Sequence, residues 1–222
     1  MSSDGAGGAD VPQTYNSETG TCAVLGGSPP AFQFHCVHKG RVWGAGVPST
    51  PNTLYYSSLA NAAQWGGTGT SGSIIPTLPI DGDRITGLCS TGEDLVVFRG
   101  PNYGSIWKVT GSATTGTQTF QLSPNPLVRG IGAVWHNTIF RYRNDVGFMW
   151  SDGMIYSLSN VQNYAGYGEA AVSRPIRSYL QANITLGQLK KVTVAVNDRR
   201  SFALIAIPTA AATICNQLLL MD

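Results

Sequence analysis

Charged side chains are scarce in this sequence of 222 residues. Asp, Glu, Lys and Arg make up 12% of it, about half the ~25% of an ordinary soluble domain. The net charge is +2, and the longest basic clusters are the pairs Lys190-Lys191 and Arg199-Arg200. Such a sequence lacks the basic footprint of a DNA-reading domain. The surface is expected to be uncharged and polar, or covered by partners, as in an assembly subunit.

Cysteines are few and widely spaced, and targeting signals are lacking. Cys22, Cys36, Cys89 and Cys215 show no C-x-x-C spacing, so buried reduced thiols are favoured over a metal or redox site, with disulfides left open. The N-terminus has no basic and apolar leader, and no run is long enough to span a bilayer. We therefore expect synthesis in the cytoplasm and no membrane partner.

Catalytic groups are also sparse. Only His35, His38 and His136 could serve as a base, and no G-x-S-x-G motif occurs; the stretch 69–72 is a polar loop. Strand alternation separates His35 from Cys36 and His38, which leaves too few ligands on one face for zinc. We predict a non-enzymatic protein with no catalytic residue, no metal site and no cofactor.

Five of the twelve acidic residues lie in three predicted turns. The acidic turns are Asp81-Gly82-Asp83, Glu93-Asp94 and Ser151-Asp152-Gly153. Asp is common in turns for backbone reasons, so a turn is favoured over a glycosidase pair, or over calcium at the first of them. The sequon Asn183-Ile184-Thr185 has no meaning without a secretory signal.

The stretch from Gly130 to Ser159 carries the clearest structural signal. Four short apolar runs, rich in β-branched and aromatic residues, follow one another there: Ile131–Trp135, Thr138–Tyr142, Val146–Trp150 and Met154–Leu158. Asn, Asp and Gly separate them, and these residues suit tight hairpins. The pattern predicts a four-stranded antiparallel meander.

Similar turn-and-strand units recur along the chain, at roughly 31–80, 84–122, 130–159 and 189–222. The first two have second strands predicted at 41–44 and 94–99 and last strands at 74–80 and 119–122, and the prolines at 76 and 79 would restrict the strand 74–80 to a sheet edge. The fourth has strands predicted at 190–196, 200–207 and 217–221.

The second strands of the four units begin at intervals of roughly 40 to 60 residues, close to the ~40–50 residues of a β-propeller blade. The predicted fold is all-β: a propeller or partial propeller of about four blades of antiparallel four-stranded sheets, the last blade incomplete. A β-sandwich is the competing architecture.

Two segments lie outside this scheme. Residues 1–30 are predicted to form a flexible or partner-ordered arm, with Cys22–Leu25 as a lone strand at a sheet edge. The domain proper is 31–222. The only helix candidate, Tyr167–Gln181, is interrupted by Pro175, which allows a short helix or turn.

Five tryptophans mark strand ends, strand middles and one loop: Trp43, Trp65, Trp107, Trp135 and Trp150. Such a set could stack on sugars, but packing between adjacent sheets is the favoured role.

Three segments, taken in order, resemble the propeller segment of phage tail proteins. They are NTLYYSSLANAAQW (52–65), DRITGLCSTGEDLVVFRGPNYGSIWKVTG (83–111) and GIGAVWHNTIFRYRNDVGFMWSDGMIYSLS (130–159). The resemblance is to tail nozzle, tail tubular and head-completion proteins of short-tailed phages. It implies a homo-oligomeric ring, typically sixfold, below the portal and adaptor. Such a ring contacts other tail proteins, seals the packaged DNA and forms part of its exit channel.

The predicted function is therefore that of a structural virion protein of a phage tail, located in the virion. A glycan-binding or carbohydrate-active propeller of a phage tail is the alternative, and a cellular scaffold propeller is a third class. The last unit offers three strands where the Gly130–Ser159 stretch predicts four. This difference leads us to expect a fragment, or a blade completed by a neighbouring copy.

Overall fold

Short antiparallel strands form most of the structure. A computed structural model describes residues 11–66, 70–74, 82–111, 113–114, 117–118, 120–163, 167–197 and 199–221. Strands account for 44% of the structure and helices for 14%. The predicted β class is thus confirmed in its coarser form, as a mainly β protein with several antiparallel sheets.

An N-terminal hairpin opens the described chain. It consists of β1 (Gln13–Asn16) and β2 (Thr21–Val24). The lone strand predicted at Cys22–Leu25 is therefore wrong in its pairing, because β2 pairs with β1. The intervening residues form a turn, in which the Asn16 side chain accepts the backbone N–H groups of Glu18 and Thr19.

The first sheet is a four-stranded meander. Its strands, in spatial as well as chain order, are β3 (Phe34–His38), β4 (Arg41–Ala45), β5 (Leu54–Tyr56) and β6 (Gly72–Ile74). Lys39 and Gly40 both have positive φ, the conformation that a two-residue hairpin turn requires. The fourth strand was predicted at 74–80; β6 ends at Ile74, and 75–80 lie outside the described residues.

The second sheet repeats this order with a divided last strand. It contains β7 (Arg84–Ser90), β8 (Leu95–Gly100) and β9 (Ser105–Thr110), close to the predicted positions. A small hairpin of β10 (Ala113–Thr114) and β11 (Thr117–Gln118) follows. The outer edge of β9 then pairs with both β12 (Gln121–Leu122) and β13 (Val128–Arg129), where a single strand was predicted at 119–122.

The third sheet has three strands, which corrects the prediction of four. They are β14 (Ile139–Tyr142), β15 (Asp145–Met149) and β16 (Ile155–Ser157), with a 3-10 turn at His136–Thr138 before them. The predicted strand Ile131–Trp135 is wrong. That segment is a buried irregular connection that donates one hydrogen bond to the sheet, from Val134 N to Met149 O at 3.0 Å.

A helical segment separates the third and fourth sheets. It contains α1 (Leu158–Asn163), α2 (Tyr167–Ala170) and α3 (Arg177–Asn183), with 3-10 turns at Arg174–Ile176 and Leu186–Lys191. The predicted interruption at Pro175 is confirmed, since that residue lies in the turn between α2 and α3. The helical content exceeds the single short helix expected.

The fourth sheet is a three-stranded meander. It consists of β17 (Thr193–Asn197), β18 (Phe202–Ile207) and β19 (Gln217–Met221). The three strands were predicted, with the first placed about three residues too early. Because the third sheet also has three strands, a three-stranded fourth sheet is not an exception in this chain.

Consecutive sheets pack on one another through apolar faces. One cluster joins the first and second sheets around Trp43, Leu54 and Val97. A larger cluster joins the second, third and fourth sheets, and Phe98, Phe148 and Ile205 are members from each. The first strands of consecutive sheets are neighbours: β3 lies beside β7, β7 beside β14, and β14 beside β17.

Candidate assembly surface

The histidines lie at the junction between the first three sheets. His38 Nδ1 is 2.9 Å from Ser90 Oγ, which links β3 to β7. His136 stacks on Phe34 with ring centroids 5.3 Å apart, and its Nδ1 accepts the Leu88 N–H at 3.4 Å. These contacts join sheets that are distant in sequence. They were not foreseen from the sequence, which placed His136 in a turn between two predicted strands.

Burial keeps the His136 ring neutral. The pKa of His136 is lowered to about 4, first because burial disfavours the charged ring and second because His35 is nearby. Burial likewise lowers the pKa of His38, with a smaller contribution from Lys39. Among the described residues, no three His, Cys, Asp or Glu side chains are grouped so that they could hold a metal ion. The histidines therefore act here as packing groups and hydrogen-bond partners.

Asp83 organises the loop between β8 and β9. Its carboxylate accepts the backbone N–H groups of Asn102, Tyr103 and Gly104 at 2.7, 3.1 and 2.7 Å. The side chain is 4% exposed. An acceptor aimed at three N–H donors is a loop cap, in keeping with the turn role predicted from Asp81-Gly82-Asp83; residue 81 lies outside the described residues.

Two further aspartates serve the third sheet in the same way. Asp145 accepts hydrogen bonds from the hydroxyls of Ser157 and Ser159 and from backbone N–H groups. Burial opposes ionisation of Asp145, but these hydrogen bonds outweigh it and lower its pKa. Asp152 accepts the Tyr156 hydroxyl at 2.6 Å and the Met154 N–H at 2.9 Å. Both carboxylates are engaged in holding the strands of one sheet together.

The burial of two arginines was not foreseen from the sequence. Arg41 is 4% exposed and donates to Ser57 O at 2.9 Å and Thr70 O at 2.7 Å, while its guanidinium lies 5.5 Å from the Phe120 ring centroid. Arg99 is fully buried and donates to Asp83 O at 3.1 Å. Nothing in the alternation of β4 or β8 distinguishes these arginines from exposed ones, because their burial depends on neighbouring loops.

The tryptophans are mostly internal. Four of the five are 8% exposed or less: Trp43, Trp65, Trp107 and Trp150. Trp43 packs on the Tyr56 and Phe120 rings at 4.9 and 5.0 Å. The predicted packing between adjacent sheets is confirmed for Trp43, Trp107 and Trp150, which belong to the two clusters that join the sheets. Trp65 packs instead on Phe32 within the first unit. None of these four indoles is exposed for stacking on a sugar.

A groove opens between the third and fourth sheets. It consists of two adjoining cavities of about 240 and 300 Å³, which share Ile155, Val172 and Met221 in their walls. One cavity is lined in part by Tyr142 and Asp145. The sheets are linked at this end by the Tyr142 hydroxyl, which donates to Ser201 O at 2.8 Å.

The outer face of the fourth sheet leaves apolar side chains exposed after the sheets have stacked. Alternation places Val194, Ile205 and Leu219 toward the core. The other set points away: Thr193, Ala195, Asn197, Phe202, Leu204, Ala206, Leu218 and Leu220. We call this set the outer face. Leu218 is 59% exposed and Leu220 is 66% exposed, and the set contains no charged side chain.

A second exposed apolar face lies on the N-terminal hairpin. Cross-strand pairing puts Tyr15 opposite Cys22 and Gln13 opposite Val24, all on one side. Tyr15 is 67% exposed and Val24 is 61% exposed. The other side carries mainly polar residues, so the hairpin is amphipathic and its apolar side faces solvent.

Within the described ranges, no helix has the length and apolar character needed to cross a membrane. No protein-family model matches the chain, and no curated protein is significantly similar to it.

Proposed function

We propose that this protein is a non-enzymatic assembly subunit of a phage tail, with its four sheets arranged as blades of a partial β-propeller. The observation that carries the proposal is the exposed outer face of the fourth sheet. Each sheet-to-sheet junction inside the chain buries apolar faces of this kind. We interpret this face as a contact site, because adjoining exposed apolar side chains are a feature of protein contact surfaces.

The arrangement of the strands supports the propeller architecture. In a propeller, the first strand of each blade lies nearest the axis, and consecutive blades pack face to face around it. Here β3, β7, β14 and β17 are the first strands of their sheets and form a chain of neighbours. The sheets of a sandwich would instead share a single two-layered core.

The placement of polar groups supports a structural role. Asp83, Asp145 and Asp152 are committed to loops and strand pairs, and His136 is held neutral between two sheets. These contacts stabilise the fold. Asp145 also borders one of the two cavities of the groove, but its carboxylate is engaged by the Ser157 and Ser159 hydroxyls.

The position in the tail rests on the resemblance described above. The low charge content and the exposed apolar face agree with a subunit whose surface is covered by partners. The proposed partners are other copies in a sixfold ring, together with the portal, adaptor and other tail proteins. The packaged DNA would pass through the ring, whose subunits would be located in the virion.

Sedimentation velocity across a concentration series tests the assembly role. We expect the wild-type chain to associate and Leu220→Lys to weaken association at least tenfold, because a lysine in an apolar contact costs ~1.4 kcal/mol or more. Val37→Lys is the matched control, since Val37 is 65% exposed on the first sheet. A wild-type chain that stays monomeric at all concentrations would contradict the proposal, as would equal effects of the two substitutions.

Electron micrographs of the associated protein test the tail assignment. We expect rings with a central channel, alone or bound to tail particles. Large assemblies without rotational symmetry would contradict the proposed role as a ring of the phage tail.

A further inference from the structure

We propose that the N-terminal hairpin of one copy packs on the outer face of the fourth sheet of the next copy, so that copies join head to tail. This inference rests on the assembly role proposed above and names its contact surfaces. Each chain would then carry one hairpin and one receiving face.

The hairpin needs a partner surface. Two-stranded hairpins are only marginally stable alone in water, and all eight residues of β1 and β2 are exposed. The base of the hairpin is anchored, because Pro12 and Leu25 are buried and joined by a 2.8 Å backbone hydrogen bond. The strands thus extend from a fixed base with Tyr15 and Val24 in solvent.

The two surfaces match in apolar character. The hairpin side formed by Gln13, Tyr15, Cys22 and Val24 contains no charged residue, and neither does the outer face. Packing one on the other therefore buries no unpaired charge. Pairing the hairpin along the β19 edge would leave both apolar faces in water, so face-to-face packing is favoured.

The turns at the ends of the two surfaces carry charges of opposite sign among the residues that the structure describes. Glu18 lies exposed in the turn between β1 and β2. Arg199 and Arg200 lie exposed in the turn between β17 and β18. A head-to-tail contact brings unlike charges together, whereas a twofold contact between two outer faces brings like charges together.

The exposed area limits the strength of a single contact. The exposed parts of Tyr15, Val24, Leu218 and Leu220 amount to roughly 500 Å², while a stable interface buries ~1,200–2,000 Å² in total. One such contact is weak by itself. In a closed ring every copy makes two, and a head-to-tail contact closes into a ring when its rotation permits.

Thiol cross-linking tests the contact, because Cys22 already lies on the apolar side of the hairpin. The test variant is Leu220→Cys with Cys215→Ser, treated with a short bis-maleimide at neutral pH. We expect a ladder of covalent dimers, trimers and higher oligomers on denaturing gels. A ladder arises because each cross-linked species keeps one free hairpin and one free face.

Two control variants locate the cross-link. Adding Cys22→Ser should abolish the ladder while leaving the fourth sheet unchanged. A variant that carries Val37→Cys in place of Leu220→Cys should give no ladder, because Val37 is equally exposed but lies on the first sheet. Circular dichroism of each variant checks that it is folded.

The other outcomes each overturn the inference. Covalent dimers that persist after Cys22→Ser would show a twofold contact between outer faces. A cross-linked monomer would show that the hairpin covers the face of its own chain. Association without any Cys22-dependent cross-link would leave the assembly role standing and reject the hairpin contact, whereas a monomeric protein would reject the assembly role itself.

Discussion

Replacing Gly132 by alanine tests how the segment between the second and third sheets is packed. A Cβ at this position would lie 1.9 Å from the carbonyl oxygen of Arg99 and 3.1 Å from its carbonyl carbon. Arg99 is fully buried in β8, which is paired on both sides. Neither backbone can move without disturbing the central sheet, so the clash is not relieved by a rotamer change.

The expected cost follows from that contact. Overpacking that side chains can absorb costs ~1–3 kcal/mol, and a clash of the new Cβ with a fixed backbone carbonyl should reach at least ~3 kcal/mol. For a chain of this size, ~1 kcal/mol shifts Tm by ~2–4 °C, so Gly132→Ala should lower Tm by at least ~6 °C. The loss is a large part of a typical folding free energy of ~5–15 kcal/mol.

Gly187→Ala is the control for this experiment. Gly187 is exposed, and a Cβ there would have nothing within 4 Å, so stability should change by less than ~1 kcal/mol. Thermal unfolding followed by circular dichroism measures both variants. If Gly132→Ala melted like the wild type, the segment would be packed as an ordinary strand, and the close approach to Arg99 would be refuted.

Three further predictions concern buried polar groups. Asp83→Ala should destabilise the protein by about 3 kcal/mol, because three backbone N–H groups lose a charged acceptor. Denaturant unfolding measures this loss of stability. A loss below ~1 kcal/mol would contradict the role of Asp83 as the cap of the loop between β8 and β9. The wild type should lose stability as pH falls from ~6.5 to ~4, because the unfolded chain protonates His136 in that window and the folded chain does not. The loss of folding free energy is about 3 kcal/mol at pH 4. His136→Gln should flatten the dependence of stability on pH. A dependence unchanged by this substitution would rule out His136 as its origin. Burial raises the pKa of Cys36 to about 12 and of Cys89 to about 11, so both should react with a thiol reagent only after unfolding, whereas the exposed Cys22 should react at once. Equal rates for the three thiols in the folded protein would contradict this.

Local pattern was sufficient to predict most strands. The sequence pattern of Arg41–Gly44, Asp94–Arg99 and Arg200–Ile207 predicts strands, and the structure has strands there within a few residues. Alternation and two-residue turns act over five to ten residues, so one sequence is enough to read them. The turn at Lys39-Gly40 is an example, since its geometry depends on those two residues alone.

Local pattern gave wrong or no predictions where contacts between distant residues determine the structure. Ile131–Trp135 has strand-like composition, yet the segment lies between two sheets and follows the path that Gly132 allows against Arg99. Burial of Arg41 likewise depends on Ser57 and Thr70. No local rule indicates these partners, because they are brought together only by the folded chain.

The candidate assembly surface was also predictable only in part from the sequence. The sequence predicted the three strands of the fourth sheet, and the low charge content favoured a surface covered by partners. Which of the two faces remained exposed was decided by tertiary packing, because the third sheet covers Ile205 and Leu219 and leaves Leu218 and Leu220 in solvent. Sequence by itself determined that this protein is built from short antiparallel strands, since strand and turn formation is a local property. The stacking order, the buried arginines and the exposed face were decided only by the tertiary structure, since each depends on residues far apart in the chain.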